Sequence, residues 1–151
     1  MAVAKLEDIW TQVVTILKNA QAGSGSLNYV KEIAEGVRED FANFPIIYLE
    51  PQTCTEDRYS IPNHIRIKLN ILIYIVLDVY GITKQIIGDT TAQGIMDIEK
   101  DIKNTLEAYP DLNGKALKFQ FLTTNYSIVS YPYREAEITM EVEFVTLRTS
   151  R

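Results

Sequence analysis

The chain has 151 residues and a mass of 17.2 kDa, which suits one domain large enough to bury its own core. Its formal net charge is -5 and its pI is near 4.9, which excludes nucleic acid as the main partner, because phosphate binding needs a basic surface. The longest apolar run, Ile71 to Leu77, falls far short of the roughly 20 residues that span a membrane. Cys54 is the single cysteine, so no internal disulfide can form and a reducing compartment is expected. Met1-Ala2-Val3-Ala4-Lys5 runs straight into an amphipathic pattern without the apolar stretch of a signal peptide. Synthesis in the cytoplasm, without a lipid anchor, is the expectation.

In chain order, Leu6, Ile9, Trp10, Val13, Val14 and Leu17 recur at threes and fours, which predicts a first helix over Leu6 to Leu17 with one apolar stripe. Acids come early and Lys18 late, as the helix dipole prefers. Ala20 to Ser26 is a short flexible connector. Leu27 to Glu35 alternates weakly and is read as a short strand closed by Gly36, with a helix as the alternative. Phe41-Ala42-Asn43-Phe44-Pro45 leads into a compact apolar strand, Ile46 to Glu50, ended by Pro51. Gln52 to Asn63 reads as a polar loop. It contains Thr53, Cys54, Glu56, Asp57, Arg58 and Tyr59, with His64 at its far edge.

From Ile65 to Tyr80 every odd position through Val79 is Ile, Leu or Val, a period of two that predicts one long strand with a buried face. Sixteen residues at about 3.3 Å each reach about 50 Å, whereas a usual strand has about 5–6 residues. Its even face changes from Arg66, Lys68 and Asn70 to Leu72, Tyr74 and Val76, so the second half of that face needs a cover. Together with the strand before it, this strand forms a hairpin whose polar tip is expected to protrude.

Asp89 to Gln93 reads as a helix start, with Thr90 and Gln93 spaced as a capping box. The second helix then runs to about Tyr109, with Ile95, Ile98, Ile102, Leu106 and Tyr109 on one face and Asp97–Lys100 and Glu99–Lys103 as exposed pairs. Leu117, Phe119 and Phe121 begin a strand whose phase shifts, predicting a bulge near Thr123 to Asn125. Ala136, Ile138, Met140, Val142 and Phe144 mark the last strand. This order predicts an α+β fold, a largely antiparallel sheet with both helices on one face.

Chemistry is thinly marked. Cys54 with His64, oriented by Glu56 or Asp57, is the best thiol-enzyme arrangement available, but all lie in one polar loop and match no cysteine-protease signature. One Cys and one His cannot furnish a structural zinc site. No glycine run fits a phosphate cradle, and no cofactor is expected. Glu135, Glu137, Glu141 and Glu143 fall on one strand face, read first as the wet side of a sheet opposite Arg66 and Lys68 and second as a wall toward another subunit. Tyr126, Tyr131, Tyr133 and Arg134 lie in or beside a loop and carry the residue types of interface hot spots. The candidate subunit interface is therefore Leu72, Tyr74, Val76, Tyr131, Tyr133, Arg134, Glu137, Glu141 and Glu143.

This ordered set of elements resembles the tail-terminator, or tail-completion, proteins of long-tailed bacteriophages. The similarity rests on the N-terminal helix, the Phe41 to Tyr48 stretch, the long hairpin strand, the central helix and the two closing strands, and it covers nearly the whole chain. It implies a homohexameric ring at the head-proximal end of the virion tail. Such a ring caps the tail-tube protein and meets a head connector or stopper protein, without cofactor or turnover. The alternatives are another head–tail neck or tail-tube protein, a host-encoded binding module, and a small cytosolic thiol enzyme.

Overall fold

In the computed structural model, residues 3–36, 43–79, 85–90, 92–126, 129–130 and 132–149 are described. The elements are α1 (Leu6–Gln21), β1 (Glu32–Glu35), β2 (Ile46–Arg58), β3 (His64–Asp78), α2 (Ile95–Glu107), β4 (Lys118–Asn125), β5 (Val129–Ser130) and β6 (Tyr133–Leu147). The strands form one sheet in the order β1-β2-β3-β6-β4, with β5 pairing β6. All pairings are antiparallel except β1 with β2. The α+β class expected from the sequence is the observed one.

The central pair explains the rest. β3 and β6 have 15 residues each and pair from His64 opposite Leu147 to Asp78 opposite Tyr133 without a register shift. Ile67, Leu69, Ile71, Ile73 and Ile75 of β3 lie on the same face as Ala136, Ile138, Met140, Val142 and Phe144 of β6. Ile9, Val13 and Leu17 of α1 and Ile98, Ile102 and Leu106 of α2 complete this cluster, which is the main core. Both helices thus cover one face of the sheet. Alternation at period two in the strands and three or four in the helices places those side chains there.

Three stretches differ from the sequence reading. Thr53, Cys54, Glu56, Asp57 and Arg58, expected in a loop, belong to β2, and Tyr59 follows its end. Only 59–63 remain as the turn. Every residue from Pro51 to Arg58 is exposed, so no buried alternation signals a strand there; the backbone ladder to β3 creates it. The helix α2 begins at Ile95, later than the predicted capping box. Asp97 accepts hydrogen bonds from the Gly88 N–H at 2.6 Å and the Gly94 N–H at 2.9 Å, and so caps the helix from inside. A Cβ on Gly94 would sit 2.4 Å from the Ile86 carbonyl oxygen, so this close approach requires glycine. Lastly, Glu99 is buried rather than part of an exposed pair.

The short strand predicted within Leu27 to Glu35 is β1, closed by Gly36 at φ +83°. The predicted phase shift in β4 falls between Phe121 and Thr123, one residue ahead of the expected stretch. Phe41, Ala42, Tyr80 and Ile128 lie outside the described residues.

Ile73 is fully buried between Leu49 and Ile138 in the ladder. Ile73→Ala is expected to cost about 2–5 kcal/mol, read from urea midpoints. Ile61→Ala, on a 41% exposed residue of the hairpin turn, should change stability by less than about 0.5 kcal/mol.

Candidate assembly surface

The face of the sheet opposite the helices divides into two halves. Along β3 its residues are Arg66, Lys68, Asn70, Leu72, Tyr74 and Val76; along β6 they are Glu143, Glu141, Thr139, Glu137 and Glu135. The half near the β2–β3 turn is a charge lattice. Lys68 stands opposite Glu143, whose carboxylate lies 3.4 Å from Arg66 Nε and 3.6 Å from Lys118 Nζ. Arg66 also reaches Asp57 at 3.7 Å, and Gln120 donates to Glu141 at 3.3 Å. Bases do oppose Glu143, as the first reading of the glutamate row expected, but Glu143 is buried beneath them and not on a wet face.

The other half is aromatic and acidic. Tyr48 stacks on Tyr74 with ring centroids 4.6 Å apart, and Phe44 stacks on Tyr133 at 5.1 Å. Ile46 and Val76 lie fully buried among these rings. The sequence reading left Leu72, Tyr74 and Val76 without a cover. The structure covers Val76 from within the chain and leaves Leu72 9% exposed, while Tyr74 stays half-buried. Phe44, Ile46 and Tyr48 were missed as members of this cluster because their stretch precedes the hairpin and only the β2–β3 register brings Tyr48 opposite Tyr74.

Carboxylates border the rings. Burial first, then the charge and hydrogen bond of Glu137, raise the Tyr74 phenol above its ordinary value. Burial, followed by the charge of Glu135, does the same at Tyr48. Burial alone pushes the Glu135 carboxyl up, since taking a charge from water disfavours it. The surface therefore combines apolar aromatic area with anionic groups. Arg134 lies elsewhere, opposite Leu77 on the helix-covered face, where its Nε donates to Gln85 Oε1 at 3.1 Å. Tyr131 lies outside the described residues.

The edges of the sheet form the second feature. β1 flanks β2 only from Ile46 to Leu49, so among the described residues the Pro51–Arg58 half has a strand on one side only. At the opposite edge, β4 presents Lys118 and Gln120 to solvent, with Leu117 and Leu122 each 44% exposed. The position of β4 is held from α2. Glu99 accepts from Lys103 Nζ at 2.6 Å, from Thr124 Oγ1 at 2.9 Å and from the Tyr126 hydroxyl. Burial by itself would raise the Glu99 carboxyl, but these donors outweigh it and hold it below the usual value.

The thiol pair is not assembled. Cys54 is registered with Leu69, five residues along β3 from His64, a separation of about 17 Å. His64 Nδ1 donates to the Pro62 carbonyl at 2.9 Å. Cys54 is exposed, yet desolvation and then the nearby Glu56 carboxylate raise its thiol, opposite to what activates a nucleophile. Among the described residues no cluster of His, Cys, Asp or Glu could hold a metal, and no helix is long and apolar enough to cross a membrane.

Neither a protein-family profile nor a curated protein sequence matches the chain. Among solved structures it is similar to a chain of the virion of a native gene transfer agent (GTA) particle. The match has a TM-score of 0.53 at 11% identity and covers 93% of this chain and 95% of that one. The two chains share a fold over nearly their whole lengths.

Three outcomes follow from these contacts. The lowered Glu99 carboxyl contributes stability that is fully present above the ordinary carboxylate range near pH 4.3 and is lost as pH falls through its folded value. Glu99→Gln is therefore expected to flatten the loss of stability on acidification, seen in urea midpoints measured from neutral pH downward. On the aromatic face, Val76→Asp should destabilise the monomer itself, because Val76 is fully buried. Tyr74→Arg, on a half-buried ring, should destabilise the fold less than Val76→Asp, read from thermal melts.

Proposed function

We propose that this protein is a structural component of a phage-type virion and, within that class, a tail terminator. In this reading it forms a homohexameric ring on the last ring of the tail tube, stops tube growth and presents a surface to the head connector or stopper protein. Tyr74, Glu137, Glu141, Glu143 and Tyr133 are its candidate contacts on the open face of the sheet, and Cys54 to Arg58 its candidate contacts along the edge. The protein has no catalytic role in this reading.

The observation that carries it is the fold shared, over 93% of the chain, with a chain of a gene transfer agent virion. The surface adds support. Among the described residues no helix lies over the aromatic–acidic half of the sheet and no strand pairs with the outer side of β4 or of the Pro51–Arg58 half of β2, as suits a subunit built to be covered by others. The separation of Cys54 from His64 takes support from the thiol-enzyme alternative.

Adding the purified protein to polymerising tail-tube protein of the same virion is the direct test. The expected result is shorter tubes carrying a ring-shaped density at one end in negative-stain electron micrographs. An unchanged length distribution with bare ends overturns the terminator reading. Tubes formed by this protein alone would assign it as a tube subunit instead.

A further inference from the structure

We propose that copies of this chain join edge to edge, with Lys118–Phe121 of β4 in one copy pairing antiparallel with Pro51–Thr55 of β2 in the next, so that one sheet continues through a closed ring. This rests on the reading that the chain assembles with itself, and it names the surfaces that meet. Four features of the sheet converge on it.

The first is availability. Pro51 to Arg58 are all exposed, and β1 stops flanking β2 at Leu49. Lys118 and Gln120 are exposed on the other edge. Each such edge offers backbone N–H and C=O groups that can extend a ladder. The second is direction. β2 is antiparallel to β3, β3 to β6 and β6 to β4, so β4 runs opposite to β2. A copy added in the same orientation therefore sets its β2 antiparallel to β4 of its neighbour, without inversion.

The third is level. Reading straight across the sheet, Cys54 is registered with Leu69, Val142 and Phe119, and Thr55 with Lys68, Glu143 and Lys118. The two open edges lie at the same height along the strands. Repeated docking then needs no step along the strand direction, the condition that lets successive copies close as a ring instead of climbing as a filament. The boundaries agree as well. Pro51, which has no N–H to donate, is level with Phe121, just before the β4 register shift. That shift bends β4 where β1 of the neighbour occupies the edge.

The fourth is chemistry. On the open face, Lys118, with its side chain 73% exposed, comes opposite Thr55 and diagonal to Asp57 of the next copy, an oppositely charged neighbour across the new ladder. On the helix side, the half-buried Phe119 ring comes opposite Cys54 and diagonal to the stem of Glu56, and Phe121 comes level with Pro51, which removes apolar area from water.

Because Cys54 is the only cysteine, one substitution tests the register. Phe119→Cys places a thiol level with Cys54 of the adjoining copy. Within one chain the two positions are three strand spacings apart, about 14 Å, too far for a disulfide. Mild oxidation of the assembled protein, alone and on tube ends, is expected to convert the monomer band into a reducible ladder of dimers, trimers and higher species. Thr55→Cys with Lys118→Cys, in a Cys54→Ala background, repeats the test without removing an aromatic ring. Lys100→Cys, on the exposed side of α2, sets the background. An oligomer that yields no ladder above that background, or only dimers, overturns the pairing and leaves self-assembly standing. A protein that stays monomeric in both settings overturns the pairing and the assembly reading together.

Discussion

Everything in this molecule depends on the uninterrupted ladder between β3 and β6, 15 residues on each strand. A ladder of about 50 Å is longer than either helix that covers it, α1 with 16 residues and α2 with 13, at about 1.5 Å per residue. The helices therefore pack on the ladder without enclosing the whole sheet. β2 follows β3 along its length, and β1 and β4 each flank only part of the sheet. The open edges follow from the short reach of β1 and β4, and among the described residues the second face has no helix because both helices pack on the first. A sheet of this kind is stable as a core, yet leaves hydrogen-bonding groups at its rim.

The two faces solve burial differently. The helix side uses aliphatic side chains in one continuous cluster, centred on Ile71, Ile73, Ile138 and Met140. On the other side no helix packs among the described residues; Val76 and Ile46 are covered by tyrosines and Phe44, and Arg66 is surrounded by Asp57 and Glu143. Aromatic rings suit a half-wet face because they bury much area and keep a polar tip in reach of water or carboxylate. The same construction leaves a surface that a protein partner can use, which a fully charged sheet face would not.

The periodicity of the strands and helices was legible wherever one face is buried and the other is not. This gave the extent of β3, the apolar faces of α1 and α2 and the existence of β6. It failed at Thr53 to Arg58, where both faces are exposed and alternation has nothing to report. It also failed at Glu99. An i, i+4 pair with Lys103 looks like a surface pair in any helix, and only the arrival of Thr124 and Tyr126 from β4 turns it into a buried network.

By itself the sequence determined the class of the fold and the absence of any sharp catalytic motif, because both are written in local residue order. The resemblance to tail terminators also came from that order, while the structure shows a fold shared with a chain of a gene transfer agent virion particle. Only the tertiary structure decided which strand edges stay open, that the edges share one level, that Cys54 and His64 stand apart, and that Val76 belongs to a core while Tyr74 reaches the surface. Each of these depends on register, the alignment of residues distant in the chain. Register is set by packing across the whole sheet and not by any single stretch.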